Sequence, residues 1–448
     1  MTDFICQPSS SVSGELRVPG DKSISHRAIM LASIAEGVTD ISGFLHGEDS
    51  LKTLQAFRDL GVQIDDNGED ICVHGVGLHG LQAPQHELYM GNSGTGMRLL
   101  TGLLAGQPFD SILTGDASLS SRPMLRIINP LTHMGAVIEC LPEGTAPLHI
   151  RGGQSLHGID YSMPVASAQV KSALLLAGLY AEGETCISEP APTRDHTERM
   201  LRGFGYPVHS TDGRVCLNGG GVLTGGAIEV PADISSAAFF MVAASIAPGS
   251  ELLLTHVGIN PTRTGVIDIL RLMGADIEIL DEREAGGEPV ADLRVRHAPL
   301  KGIDIPTETV PRAIDEFPAL FIAAACAEGV TRLTGAEELR VKESDRIQVM
   351  ADGLQTLGIT ARAMPDGIEI EGNPGQTVFN GGCVDSEGDH RIAMAFAVAA
   401  LRASGSIEIH DCDNVDTSFP GFVALAAEAG LQIESTADAA ETVEEDAE

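Results

Sequence analysis

The residues best suited to chemistry are gathered in a few short stretches of this chain. "DKSISHR", Asp21 to Arg27, sets Lys22, Ser23, His26 and Arg27 together, in a sequence whose only lysines are Lys22, Lys52, Lys171, Lys301 and Lys342 and whose formal charge is -35. A cation is electrostatically unwelcome at the opening of a helix, where the backbone N–H dipoles already point outward. Capping explains a serine there but not Lys22 and Arg27, and an anionic ligand resolves the conflict. "EELRVKESDR", Glu337 to Arg346, brings Arg340, Lys342, Glu343 and Arg346 close, and "GDASLSSRP" places Arg122 after a small-residue loop. A solvated charged turn would explain either alone. Beside Lys22, Arg27 and Arg391 they read as clamps for phosphate and carboxylate.

Further polar stretches share this placement. "GNSGTGMR", "ASAQVKS", "ADISS", "IDEFP" and "GDHR" each stand just before a very apolar, helix-like segment. Glycines in the first allow close backbone approach to a ligand, although a plain turn needs them too. "ADISS" reads as ordinary capping. Helix starts carry unpaired N–H groups, so several of them turned into one cleft would hold negative ligands despite the overall charge.

The elements that must position these motifs repeat. Six apolar segments end in Gly37, Gly106, Gly183, Gly249, Gly329 and Gly405 and lead into short strand-like runs. Between them lie amphipathic segments that end in Gly61, Gly135, Gly205, Gly274, Gly358 and Gly430, again followed by a strand. A glycine just past a helix supplies the left-handed residue that closes its last turn. Six such units are too many for one core, so the chain is expected to divide three and three into two α/β domains. The expected bounds are residues 20–231 for one domain, residues 1–19 with 232–434 for the other, and an acidic, disordered tail at 435–448. The short strand before Gly20 could belong to either half by its sequence.

Composition excludes other classes. With 63 acidic against 28 basic residues, the chain lacks the cationic footprint that nucleic acid or an anionic membrane requires. The eight cysteines show no CxxC pair and no close histidine grouping of the zinc type, and they read as reduced thiols in a cytoplasmic protein. The N-terminus has no signal-peptide pattern and no apolar run approaches a membrane span.

Taken in order, "GDKSISHRA", "GNSGTGMRLL", "GDASLSSRPM", "ASAQVKSALLLAG", "TRDHTERML", "NPTRTG", "IDEFPAL", "RVKESDRI" and "DHRIAMAF" closely resemble the motifs of the 5-enolpyruvylshikimate-3-phosphate synthase family, and "SAQVKSALLLAG" and "TRDHTE" are similar to its class II branch. The resemblance implies the two-domain enolpyruvyl transferase fold, an inside-out α/β barrel in which each domain has three βαβαββ units. It implies transfer of the enolpyruvyl group from phosphoenolpyruvate to the 5-hydroxyl of shikimate 3-phosphate, in a monomer that needs no metal and no organic cofactor. Carried over by motif, Lys22, Ser23, Arg27, Ser167, Ala168, Gln169, Arg194, Asp315 and Lys342 would bind shikimate 3-phosphate. Lys22, Gly94, Arg122, Gln169, Arg346 and Arg391 would bind phosphoenolpyruvate. Asp315, Glu343 and Lys22 would move protons, and Lys171 would support the site structurally.

The sequence departs from the family pattern at Glu338, where many members have Asn, and in "VDTSFP", which lacks a lysine. Some herbicide-insensitive relatives carry Ala where Gly94 stands, so glyphosate is expected to compete with phosphoenolpyruvate here. The rival readings are a UDP-N-acetylglucosamine enolpyruvyl transferase, whose loop cysteine is missing from "GDASLSSRPM", and a non-catalytic binder of a phosphorylated metabolite.

Overall fold

The computed structural model describes residues 2–68 and 70–437. They form two compact units, one of Gly20–Pro231 with Glu284–Glu288, the other of residues 2–19, Ala232–Arg283 and residues 289–437. Each unit has its own apolar core.

In the unit of residues 20–231, three four-stranded sheets share one pattern. The first orders Ala227–Glu229, β3 (Glu36–Ser42), β5 (Asp70–Val76) and β4 (Gln63–Asp66), its first pair parallel and the others antiparallel. Leu88–Tyr89, Ser111–Thr114, Leu148–Arg151 and Val137–Glu139 repeat it, as do Asp160–Ser162, Glu184–Ser188, Arg214–Asn218 and His209–Thr211. A parallel pair needs a crossover, and an apolar helix lies in that crossover in the second and third sheets, whereas in the first the helix precedes β3 and the parallel partner returns from the far end of the unit. The helices are Lys22–Ser33, Gly94–Leu104 and Ala168–Gly178. A Cβ on Gly102 would lie 2.1 Å from the carbonyl oxygen of Ala173, so glycine is what lets the second helix approach the third. Leu99, Leu100, Leu103 and Leu104 are fully buried beside it, and truncating one such leucine to Ala costs about 2–5 kcal/mol.

The other unit follows the same plan with a different closure. The N-terminal segment supplies β1 (Phe4–Gln7), which lies between Ile407–His410 and Gln432–Ser435, and β2 (Ser13–Leu16), which runs parallel to Glu251–Gly258. Its third sheet is formed by Gly329–Leu333, Gly367–Gly372 and Thr360–Met364. The apolar helices Ile234–Ile246, Phe317–Ala325 and His390–Ala399 pack on one another. Every residue of the first two is buried, as expected for helices apolar all round.

All six glycines of the second repeat pattern have φ between 79° and 109°, the region that favours glycine. In the first pattern Gly37, Gly183, Gly249 and Gly329 do so, whereas Gly106 is required by close approach instead, since a Cβ there would lie 2.3 Å from the Tyr180 ring.

Two expectations are corrected. Cys186 and Cys216 are joined by a disulfide, their Cα atoms 4.2 Å apart, because they face each other in antiparallel register on strands separated by 30 residues of sequence. That register cannot be read from cysteine spacing. The boundary of the tail also shifts, since Ser435 pairs with Phe4 as the last residue of a strand. The rest of the tail assignment, from residue 438, lies outside the described residues.

Candidate functional site

Five of the six apolar helices begin with a side-chain cap, from Asp21, Ser93, Ser167, Asp233 and Asp389. The sixth, Phe317–Ala325, has proline in its first turn instead. Capping therefore accounts for the Asp and Ser residues, as the sequence suggested for "ADISS", and leaves the cations to be explained.

In the unit of residues 20–231, Lys22 is the first residue of its helix and its ammonium pairs with Asp49. Arg27 is only 3% exposed. Its Nε donates to Thr197 Oγ1 at 2.7 Å, Nη1 to the Ser23 carbonyl at 2.8 Å and Nη2 to Ser172 Oγ at 2.8 Å. Burial pushes its pKa down to about 10 against the opposing pull of Glu198 and Asp21, so it is still a cation at neutral pH. Arg194 Nη1 donates to Ser23 Oγ at 3.5 Å, joining two motifs distant in sequence.

His26 links the first helix to the second. Its Nδ1 is 2.8 Å from Thr53 Oγ1 and its Nε2 is 3.3 Å from Ser93 Oγ. Burial, then the Lys22 and Arg27 charges, hold the imidazole well below its ordinary pKa. Neutral His26 donates from Nδ1 and accepts from the Ser93 hydroxyl, while Ser93 Oγ accepts from the Gly96 N–H at 3.0 Å. This chain of bonds sets the start of the helix that carries Gly94.

A Cβ on Gly94 would lie 3.1 Å from both Arg122 Nη1 and Arg98 Nη1. Arg122 is fixed by the Asn92 carbonyl at 3.3 Å, Asn92 Oδ1 at 2.5 Å and Ser118 Oγ at 3.1 Å. Gln169 accepts from Arg98 through Oε1 at 2.8 Å and donates to Thr95 Oγ1 at 2.9 Å. Ser167 caps the helix that begins at Ala168, accepting from the Val170 N–H at 3.3 Å. Sequence reasoning missed Arg98, though it ends the "GNSGTGMR" stretch and lies four residues after Gly94, on the same helix face.

Lys171 stands apart from this group. It is 1% exposed, 2.8 Å from both Glu189 Oε1 and Glu198 Oε1. Burial alone would lower its pKa, but the two carboxylates raise it. Its bonds tie the third helix to the segment that carries Arg194, the structural support expected of it.

The second unit supplies carboxylates beside cations. Asp315 Oδ1 lies 3.3 Å from Lys342 Nζ and 3.5 Å from Arg346 Nη1, and its carbonyl accepts from Arg391 Nη1 at 3.1 Å. Arg346, 1% exposed, bonds Glu343 Oε2 at 2.5 Å and Asp389 Oδ2 at 2.7 Å. Burial opposes its charge, yet Asp389, Glu343 and Asp315 outweigh that and raise its pKa. The neighbouring Glu316 is nearly buried, bonded to Ser235 and 3.7 Å from Arg263, which also holds Asp233 at 3.0 Å. "NPTRTG" and "ADISS" thus position Asp315 from behind. Arg340 is engaged by Asp345 at 2.5 Å and the Pro365 carbonyl at 2.8 Å, so it braces the loop and leaves the cluster to Lys342 and Arg346.

Triplets of sheets around apolar helices, with cations and carboxylates at the helix starts, define an enolpyruvyl transferase fold. The enolpyruvyl transferase NikO from Streptomyces tendae shares it at 16% identity, with a TM-score of 0.77 over 97% of this chain and 98% of that one. Residues 6–425 match the profile of EPSP synthase (3-phosphoshikimate 1-carboxyvinyltransferase), and the chain belongs to that family. The 3-phosphoshikimate 1-carboxyvinyltransferase of Alkalilimnicola ehrlichii is 69% identical over 96% of each chain. A solved EPSP synthase from Acinetobacter baumannii, 59% identical, superposes with a TM-score of 0.88 over 97% of this chain and 100% of that one.

Proposed function

We propose that the two polar clusters serve one reaction and that their residues divide its tasks. The chain is a transferase of the shikimate pathway that moves the enolpyruvyl group from phosphoenolpyruvate to the 5-hydroxyl of shikimate 3-phosphate and releases phosphate. The observation that carries the division of tasks is the grouping of Asp315 and Glu343 with Lys342 and Arg346. A pure anion binder would gain nothing from two carboxylates among its cations, whereas proton transfer beside anionic substrates requires both.

In the addition step the 5-hydroxyl oxygen attacks C2 of phosphoenolpyruvate and its proton passes to Asp315. The methylene carbon C3 gains a proton and becomes a methyl group, giving a tetrahedral intermediate, with Glu343 the second proton-transfer carboxylate. In the elimination step the C2–O bond to phosphate breaks, C3 loses a proton, and Lys22 donates to the departing phosphate. Lys342, 3.3 Å from Asp315, is placed to orient that carboxylate toward the 5-hydroxyl.

Ser23, Arg27, Ser167, Ala168, Gln169, Arg194, Asp315 and Lys342, with Lys22, bind shikimate 3-phosphate in this reading. Gly94, Arg122, Arg346 and Arg391, with Lys22 and Gln169, bind phosphoenolpyruvate. The bonds from Thr95 and Arg98 support the role of Gln169 by fixing which end of its amide is presented. The guanidinium and ammonium groups neutralise the substrate phosphates, so the reaction is assigned no metal and no cofactor. A cytoplasmic monomer without nucleic-acid or membrane partners completes the proposal, the acidic excess disfavouring polyanionic partners.

Phosphate release from phosphoenolpyruvate tests the reading. Release is expected with shikimate 3-phosphate and not with UDP-N-acetylglucosamine. The reverse preference would establish the rival transferase, and no release with either acceptor would leave a binding protein.

A further inference from the structure

We infer that the first sheet carries a binding site for a divalent transition-metal ion of the zinc class, with Asp65, Cys72 and His74 as its ligands. β3, β5 and β4 are neighbours, and Cys72 stands directly opposite Asp40 on one side and Asp65 on the other. His74, two residues further along β5, shares the face of Cys72 because side chains alternate along a strand. One sheet face therefore carries a sulfur, a nitrogen and carboxylate oxygens in adjacent positions. Cys72 and His74, separated by one residue in sequence, are a close cysteine–histidine pair, which corrects the expectation that the cysteines have no close histidine grouping.

The distances suit a metal. Bonds of about 2.0–2.3 Å in a tetrahedron place neighbouring ligand atoms about 3.3–3.8 Å apart. His74 Nε2 lies 3.1 Å from Asp65 Oδ2 and 4.0 Å from Cys72 Sγ, and the ligand atoms of all three residues lie within 4.8 Å of one another. Side-chain rotation that draws the ligand atoms together by up to about 1 Å closes the set. The His74 and Asp65 side chains are 41% and 51% exposed, so an ion can enter from solvent and complete its coordination with water.

The chemistry selects the ion. A thiolate and an imidazole favour zinc-like cations over magnesium or calcium, which take oxygen ligands. Binding replaces the S–H bond of Cys72 by an S–metal bond and releases the proton to water. One thiolate and one carboxylate neutralise the dication, and Asp40, directly opposite Cys72 on β3, adds a further negative charge nearby. None of these residues belongs to the reaction assigned above.

The test uses the full chain with its Cys186–Cys216 disulfide intact, stripped with a chelator and titrated with cobalt(II) as a spectroscopic probe. One equivalent is expected to give a thiolate-to-cobalt charge-transfer band with visible tetrahedral bands, all removed by zinc. Cys72→Ser is expected to abolish the charge-transfer band and His74→Ala to weaken binding by at least about 10-fold. Cys383→Ser, which alters an exposed free cysteine on another sheet, is expected to retain the band, and transferase turnover is expected to stay unchanged throughout. Absence of the band in the unmodified chain, or its survival in Cys72→Ser, would overturn the assignment.

Discussion

Replacing Gly94 by Ala probes the phosphoenolpyruvate assignment with one methyl group. The new Cβ would stand 3.1 Å from the tips of Arg122 and Arg98. Ordinary contact begins at 3.4 Å, so both guanidinium groups must retreat by a few tenths of an ångström. Neither retreats freely, because Arg122 Nη1 holds the Asn92 carbonyl and Arg98 Nη1 holds Gln169. A hydrogen bond to a charged group contributes about 1.5–3 kcal/mol when lost outright. Partial loss at two such contacts, together with displacement of Arg122 from an anionic substrate, gives an expected penalty of about 1.4–2.8 kcal/mol, roughly 10–100-fold in kcat/KM. The perturbation touches binding more than proton transfer, so KM for phosphoenolpyruvate should rise further than kcat falls. Steady-state phosphate release, varying each substrate in turn, is the assay, with glyphosate inhibition measured in parallel and expected to weaken alongside. A KM for phosphoenolpyruvate within roughly threefold of the parent would refute the placement of Gly94 and Arg122 against that substrate.

Further outcomes follow from the same geometry. Asp315→Ala and Lys22→Ala should each lower turnover about 10²–10⁴-fold with melting curves little changed, and near-normal turnover in both would defeat their assigned roles. Lys171→Met leaves Glu189 and Glu198 buried without their shared cation, which is expected to destabilise by about 3–5 kcal/mol and to lower Tm by roughly 10 °C; an unchanged Tm in scanning calorimetry would contradict the buried cluster. His26 is depressed below its ordinary value of 6.5, so the unfolded state takes up its proton first as pH falls. Its contribution to stability is complete above about pH 6.5 and is lost as pH falls from there toward the depressed native value. Denaturant titrations of the parent and of His26→Gln should show that difference in pH dependence, and parallel profiles would show that His26 does not titrate this way.

The repeats were legible in the sequence because helix closure by glycine leaves a residue-level mark: Gly61, Gly135, Gly205, Gly274, Gly358 and Gly430 all take positive φ. Lys22 and Arg27 stood out for a related reason, since cations at a helix start conflict with the helix dipole and demand a partner, and Arg122, Lys342 and Arg391 were read as clamps beside them. Those signals are local. Tertiary structure decided what depends on register and reach: that β1 enters the last sheet, that Cys186 faces Cys216, that Arg98 orients Gln169, and that Arg263 braces Glu316 beside Asp315. Side-chain partners drawn from distant repeats meet only after strands pair and apolar helices pack, and no spacing along the chain encodes that meeting.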